Sequence, residues 1–178
     1  MHFFALQVQT GREDDFLKIA EKLLKEESKN FIWLRRTLKI RKSGKWLEKT
    51  TSLFPGYIFL KRERVDLEFY NTVRRVKGFI RFLKNNQDIQ PLNRKDEEII
   101  LHFLKFGDNI EKSLVTFDEN QRIQVVSGPL KGIEGLIVKV NRRKGRAKVR
   151  LDIGDNSFLV DLPFEVINKP TADSEIIR

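Results

Sequence analysis

The fold is decided by the stretch Leu53-Phe54-Pro55-Gly56-Tyr57-Ile58-Phe59-Leu60. Its Pro-Gly pair predicts a turn, and the aromatic and β-branched residues that follow predict a strand. In that strand Tyr57 and Phe59 point to one face, while the aliphatic residues that alternate with them point to the other. Both faces are therefore apolar. Either the strand is buried on both sides, or its aromatic face meets a partner.

The length and composition of the chain limit what it can be. Its 178 residues can form one domain or two small ones, each with a modest core. No apolar run approaches the roughly 20 residues of a membrane span, and the first residues lack the basic and long apolar segments of a signal peptide. The absence of cysteine excludes disulfides, thiolate metal sites and cysteine nucleophiles. We expect a cytoplasmic protein with no membrane partner.

The positive charge of the chain is concentrated in three segments. The net charge is +10, and Lys and Arg residues cluster in 35–49, 74–84 and 139–150, with a single acidic residue among them. Such clusters favour a polyanionic partner, and nucleic acid before membrane because no amphipathic basic helix accompanies them. A solvated charged surface is the alternative for each cluster.

The first half of the chain alternates strand and helix patterns. Residues 3–8 predict a strand, and Thr10 with Glu13 predicts a capping box at the start of a helix. An apolar stripe at helical spacing then follows: Phe16, Ile19, Ala20, Leu23 and Leu24. From Phe31 the period changes to two, and Ser43-Gly44 predicts the turn of a hairpin with a basic tip.

The remaining elements before residue 106 complete an α+β unit. After the strand at 57–61, we expect a helix near Asp66 to Arg75 and a strand at 79–83. Asn93 can cap a third helix, whose apolar residues face the core. This order predicts an N-terminal domain over residues 1–106, in which helices cover an antiparallel sheet.

The character of the sequence changes after residue 106. Residues 107–119 are mostly polar and predict a linker. Beyond them, Gly128-Pro129 predicts a tight turn, and strand patterns follow at 136–140, 147–151 and 158–162. Short strands at this spacing predict a small all-β barrel over 120–170, and we expect 171–178 to fray.

Two motifs carry a family resemblance that covers nearly the whole chain. Phe54-Pro55-Gly56-Tyr57 before an apolar strand resembles the signature of the N-terminal domain of NusG-type transcription elongation factors, and residues 121–135 resemble a KOW motif. The resemblance implies an N-terminal domain that docks the clamp helices of RNA polymerase, and a C-terminal KOW barrel. The side chains that it places on one open, polymerase-binding face are Phe54, Tyr57, Phe59 and Phe79.

Departures from the housekeeping pattern indicate a specialised paralogue. Housekeeping members usually begin Trp-Tyr, whereas this chain has Phe3-Phe4. They tend to have Phe at the KOW positions that correspond to Leu130, Ile133 and Ile153, where the barrel contacts a termination factor or a ribosomal protein. Together with the dense basic run at 139–150, these departures resemble the LoaP subfamily, processive antiterminators that recognise a leader RNA hairpin.

The basic run predicts where RNA binds. Arg146, Lys148 and Arg150 fall at period two and share one strand face, while Val149 and Leu151 take the core face. The expected RNA-binding residues are Arg142, Arg143, Lys144, Arg146, Lys148 and Arg150. Further candidates for contact with RNA or with non-template DNA are Arg41, Lys42, Lys45, Arg74, Arg75 and Lys77.

Catalysis has no support in the sequence. No Gly-rich phosphate loop, paired metal ligands or nucleophile elbow is present, and the acidic run at 96–98 is explained by its place at a helix start. We expect a monomer that is not an enzyme and has no cofactor or metal. The alternatives are a housekeeping NusG that couples polymerase to a termination factor or the ribosome, and a ribosome-associated KOW protein.

Overall fold

The computed structural model describes residues 1–83 and 86–167. The N-terminal elements are, in chain order, β1 (His2–Val8), α1 (Glu13–Leu24), a short 3-10 helix (Lys25–Asn30), β2 (Phe31–Ile32), β3 (Arg35–Lys42), β4 (Lys45–Ser52), β5 (Tyr57–Arg62), α2 (Leu67–Val73), β6 (Phe79–Phe82) and α3 (Arg94–Leu104). The C-terminal elements are β7 (Asn109–Ile110), β8 (Ser113–Phe117), β9 (Ile123–Ser127), a 3-10 turn (Glu134–Leu136), β10 (Ile137–Asn141), β11 (Arg146–Ile153) and β12 (Asn156–Val166).

The strand that follows the Pro-Gly turn lies inside a four-stranded sheet of order β2-β5-β1-β6. Strand β5 pairs antiparallel with β1 and β2, and residues 57–60 are all buried. Ile58 and Leu60 pack in one hydrophobic cluster with residues of α1 and α2, whereas Tyr57 and Phe59 pack in a second cluster with residues of α3. The strand is therefore covered on both faces.

Gly56 joins the turn to the start of α1. Its φ of +80° suits glycine, and its backbone N–H donates to the buried Glu13 carboxylate at 2.7 Å. A Cβ on Gly56 would lie 2.6 Å from the hydroxyl oxygen of Thr10. The predicted Thr10–Glu13 capping box is wrong, because α1 begins at Glu13 without a side-chain cap and the Glu13 carboxylate is used by Gly56.

Other local predictions are confirmed. Asn93 caps α3 as predicted, its side chain accepting a hydrogen bond from the backbone N–H of Asp96. The helix predicted near Asp66 is α2, and the Asp66 side chain caps it by accepting from the backbone N–H of Phe69. Strands β3 and β4 form the predicted hairpin, in which Ser43 and Gly44 adopt φ of +50° and +80° as the turn requires. This hairpin belongs to a separate three-stranded sheet of order β4-β3-β7.

The prediction of a linker over 107–119 is wrong. Strand β7 pairs in parallel with β3, and β8 lies between β12 and β9 in a five-stranded sheet of order β10-β11-β12-β8-β9. Ile110 and Val115 are fully buried. The polar residues of the segment hid two short strands, which contribute Ile110 and Val115 to the core.

The C-terminal sheet contains the strands predicted after residue 120, with β8 added before them. Gly128 turns the chain where a Cβ would lie 2.7 Å from the Cα of Ser113, and the Ser113 hydroxyl accepts a hydrogen bond from the backbone N–H of Leu130. Closure of this sheet into a KOW barrel stays a prediction, as does the domain division. The predicted tail at 171–178 lies outside the described residues.

One hydrophobic cluster crosses from the N-terminal part to the C-terminal sheet. It joins Ile100 and Phe103 of α3 with Leu130 and with the inward-facing residues of β11 and β12. The two parts therefore share a core in this conformation, and the C-terminal sheet covers the side of the N-terminal sheet that α1 and α2 leave open.

Candidate nucleic-acid interface and aromatic face

Three of the four aromatic residues predicted to bind polymerase lie together. Phe54, Tyr57 and Phe59, called here the aromatic face, belong to one cluster and are all buried. Phe54 contacts Phe59 edge-on at 5.4 Å between ring centroids. Phe158 of β12 contacts Phe54 at 5.3 Å and Tyr57 at 5.4 Å. The aromatic face is therefore covered in this conformation, not open as expected.

Phe79 lies on the opposite side of the sheet, so its placement on the aromatic face is wrong. It packs against Tyr70 of α2 and against Phe82, within the helix-covered cluster. The β1–β6 register shifts between Gln7 and Val8, which brings Phe79 opposite Val8. Because strand side chains alternate, this irregularity turns Phe79 toward the helices.

Polar contacts hold the C-terminal sheet over the aromatic face. The buried Asp96 carboxylate accepts hydrogen bonds from the Gly154 backbone N–H at 2.8 Å and from the Asn93 side chain at 2.9 Å. His102 Nε2 lies 2.7 Å from the Pro129 carbonyl oxygen. These contacts give structural roles to His102 and to Asp96, the first carboxylate of the acidic run at 96–98.

The environment of Tyr57 reflects this closure. Burial raises the pKa of the Tyr57 hydroxyl above its ordinary value of 10.0, and the positive charge of Arg81 opposes the shift. Desolvation disfavours the phenolate, so the Tyr57 hydroxyl keeps its proton to a higher pH than a solvated tyrosine does.

The predicted alternation along β11 is confirmed. Ala147, Val149 and Leu151 are fully buried, while Arg146 and Lys148 are half-buried and Arg150 is exposed on the opposite face. The guanidinium of Arg146 donates to the Lys39 carbonyl oxygen of β3. The structure thus brings the basic run of the C-terminal sheet against the base of the basic hairpin, two segments that are 107 residues apart in the chain.

A small cleft collects the positive charge of this region. It has a volume of about 180 Å3 and is lined by Lys139, Asn141, Lys144, Arg146, Lys148 and Asp161. Four cations thus meet one carboxylate, and that carboxylate already pairs with Lys148 at 3.1 Å. We call this small cleft the basic cleft. Lys139 is a member that the predicted RNA-binding set omitted.

A larger cleft of about 590 Å3 continues from the basic cleft between the hairpin and the C-terminal sheet. We call it the mixed cleft, because Lys39, Lys112, Lys144 and Arg146 share its lining with Glu48, Glu111 and Glu165. Nearby, burial lowers the pKa of the Arg36 guanidinium, the negative charge of Asp161 opposes this shift, and the positive charge of Arg146 adds a smaller lowering. The excess of positive charge is larger in the basic cleft, where four cations meet one carboxylate, than in the mixed cleft, where four cations meet three.

Not every predicted cation is free to bind a ligand. Arg142 lies 3.9 Å over the ring of Phe117 and donates to the Gln121 side chain. Arg143 and Arg150 are exposed.

Arg74, Arg75 and Lys77 follow α2, and within the described part of the chain no hydrogen bond or ion pair joins them to the hairpin or to the C-terminal sheet.

The described residues contain no group of three His, Asp or Glu side chains arranged to hold a metal ion. None of the described helices is long and apolar enough to cross a membrane.

Comparison with known proteins identifies the family to which the chain belongs. A family model described as transcription termination factor NusG matches residues 1–101, which is more than half of the chain. The chain belongs to the NusG family. Similarity extends beyond those residues. The transcription termination/antitermination protein NusG of Neisseria meningitidis is 25% identical over 175 residues, which cover 94% of this chain and 97% of that protein.

Two further relatives agree over most of their length. The NusG protein of Thermus thermophilus is 27% identical over 181 residues, which cover 95% of this chain and 98% of that protein. A solved structure described as domain interaction in Thermotoga maritima NusG matches with a TM-score of 0.54 and 20% identity, over 91% of this chain and 93% of that chain. The similarity to the Thermotoga maritima structure supports the fold alone. This chain is accordingly a NusG-family transcription termination/antitermination factor.

Proposed function

We propose that this NusG-family protein is an antitermination factor that binds the clamp helices of RNA polymerase with its aromatic face and a leader RNA hairpin with its basic cleft. The observation that carries the RNA part is the basic cleft itself, where four cations meet one carboxylate. Lys and Arg side chains grouped in this way neutralise several phosphates of one RNA segment, and each neutralised phosphate releases condensed counterions.

The polymerase part depends on the apolar character of the aromatic face. Aromatic side chains bury about 150–250 Å2 each, so a face with Phe54 and Tyr57 on its outer side requires a cover. Phe158 supplies that cover here. Polymerase would take its place, and docking would therefore require the C-terminal sheet to move away. Phe59 packs edge-on against Phe54 and belongs to the same aromatic face.

A housekeeping NusG role is the second candidate, favoured by the names of the relatives from Neisseria meningitidis and Thermus thermophilus. In this chain, however, Leu130 and Ile153 are buried in the cluster shared by the two parts. These are two of the positions where housekeeping members carry Phe. In this conformation Leu130 and Ile153 are therefore closed to a partner, whereas Lys139 and Lys144 of the basic cleft are exposed.

RNA binding is tested with a variant of the basic cleft. Lys139→Ala with Lys144→Ala removes two exposed cleft cations that hold no structural ion pair among the described residues. Binding of the leader hairpin from the chain's own operon should weaken, and the slope of log K against log salt should fall by roughly 0.7–0.9 per lost phosphate contact. The matched control, Lys22→Ala with Lys95→Ala, removes the same charge from exposed positions on α1 and α3.

Both variants should capture RNA polymerase as the parent protein does. An RNA affinity and salt slope that stay at parental values in the cleft variant would contradict the proposed RNA site. Equal affinity for the leader hairpin and for an unrelated hairpin of the same length would favour the housekeeping role.

A further inference from the structure

The tip of the β3–β4 hairpin carries an exposed tryptophan, Trp46. Trp46 is 63% exposed, and every residue from 41 to 50 is exposed. Among residues 1–83 and 86–167, no ring contact or cation–π contact involves Trp46. Trp33, by contrast, is half-buried with the Arg35 guanidinium 5.2 Å from its ring centroid. An indole left in water at the end of a hairpin has a large apolar face available for a ligand.

The hairpin places Trp46 in a strongly basic setting. Residues 35–52 contain seven Lys and Arg residues against one acid, Glu48. Arg41 lies directly opposite Trp46, and Lys42 lies opposite Lys45 beside the turn. This charge repels cationic partners and favours a polyanion.

Strand alternation puts Trp46 in line with the clefts. The cross-strand pairs Thr37–Thr50, Lys39–Glu48 and Arg41–Trp46 follow one another at intervals of two residues, so they share one face of the hairpin. The Thr37 and Thr50 hydroxyl oxygens lie 2.9 Å apart, as a shared face requires. Thr37, Lys39 and Glu48 line the mixed cleft. Trp46 therefore extends the hairpin wall of that cleft by one strand repeat, about 7 Å beyond Glu48.

We infer that Trp46 is a stacking platform for an unpaired base of a single-stranded nucleic acid whose phosphates are held by the cations of the hairpin and the clefts. This inference rests on the proposed RNA-binding function and adds that the ligand has an unpaired segment beside its hairpin stem. A tryptophan ring stacks on an exposed base face, and in a duplex both faces of each base are occupied by neighbouring pairs.

Fluorescence of the full-length protein tests the stacking directly. Trp33→Phe leaves Trp46 as the single tryptophan of the chain, so its emission reports on the hairpin tip alone. The probes are oligouridylate, oligothymidylate, a blunt RNA duplex and inorganic polyphosphate. We expect saturable quenching by the single strands, and binding without quenching by polyphosphate. Oligouridylate and oligothymidylate separate RNA from DNA as the source of the base.

Substitutions supply the affinity test. Trp46→Ala should weaken oligouridylate binding by roughly 5- to 100-fold while leaving polyphosphate binding unchanged. Trp46→Phe keeps an aromatic ring and should recover most of the affinity. Leu47→Ala, which removes a 47% exposed apolar side chain from the other face of the hairpin, is the matched control and should bind like the parent.

The inference is overturned if no oligonucleotide quenches Trp46, if the blunt duplex quenches it equally, or if Trp46→Ala binds oligouridylate like the parent. Its failure is separable from failure of the proposed function. Loss of hairpin binding in the Lys139→Ala, Lys144→Ala variant, with no effect of Trp46→Ala, retains the RNA site and rejects the platform. Quenching of Trp46 by the single strands, together with parental RNA binding by the Lys139→Ala, Lys144→Ala variant, retains the platform and rejects the basic cleft as the RNA site.

Discussion

The ring of Phe158 packs edge-on against the ring of Tyr57, with centroids 5.4 Å apart and planes at 86°. The same ring makes a second edge contact with Phe54. One side chain of β12 therefore covers both outer residues of the aromatic face. Such pairs contribute about 0.5–1.5 kcal/mol each beyond the area they bury, so Phe158 is a principal contact between the two parts of the chain.

Loss of the Phe158 ring should uncover the aromatic face. We expect Phe158→Ala to increase capture of RNA polymerase and to lower the pKa of Tyr57 toward 10.0, because water reaches the phenol. Pull-down and spectrophotometric titration measure the two effects. Leu159→Ala, at the adjacent position with a 57% exposed side chain, is the control and should change neither. A lower pKa without increased capture would show that polymerase does not use this face.

Alkaline pH should destabilise the closed arrangement through Tyr57. Because its folded-state pKa is raised above 10.0, the folded form retains the proton longer than the unfolded form. The resulting contribution to stability is complete below about pH 10 and is lost as pH rises through the raised pKa. Tyr57→Phe keeps the ring and removes the titration. The free energy of unfolding of the parent relative to Tyr57→Phe should therefore be constant below about pH 10 and fall above it, and a constant difference throughout would refute this.

Gly56 should tolerate no side chain. Gly56→Ala combines a left-handed backbone, which costs alanine about 1–2 kcal/mol, with overpacking against Thr10, which costs about 1–3 kcal/mol more. Gly11→Ala is a close control, since Gly11 has φ +82° and nothing within 4 Å of its added Cβ. Denaturant unfolding should rank Gly56→Ala as the less stable variant. Equal stabilities would mean that the Thr10 contact is relieved at no cost.

Gly154 is a second glycine with a positive φ, and it lies at the contact between the two parts. A Cβ there would lie 2.8 Å from Leu83 Cδ2, and φ is +58°. We expect Gly154→Ala to separate the C-terminal sheet from the aromatic face and so to increase polymerase capture, as Phe158→Ala does. Gly135→Ala, in open space and without a positive φ, should behave as the parent. Reduced capture by Gly154→Ala would place Leu83 or Asp96 in the polymerase contact itself.

Features with a local cause could be predicted from the sequence. Strand β5, the Asn93 cap, the Ser43-Gly44 turn and the alternation along β11 each follow from residues within a few positions of one another. The family resemblance, carried by residues 54–57 and 121–135, was likewise local, and the match over residues 1–101 confirms it at family level. The LoaP subfamily stays a proposal.

Predictions that depended on distant partners failed. Glu13 has the spacing of a capping box, yet its carboxylate bonds to Gly56, 43 residues away. Phe79 faces the helices because the register of β6 shifts against β1, which no pattern within β6 reveals. The segment that contains β8 was predicted to be a linker, because its partner strands β12 and β9 lie later in the chain.

The sequence by itself determined the order of helices and strands, the apolar faces of β5 and β11, and the excess of positive charge, because periodicity, turn chemistry and composition act over short stretches of chain. Tertiary structure alone decided that Phe158 covers Tyr57, that Arg146 joins the hairpin at Lys39, and that Trp46 continues the wall of a cleft. Each of these relationships depends on how the C-terminal sheet docks on the N-terminal part. That docking is set by burial summed over one shared cluster, and no single segment encodes it.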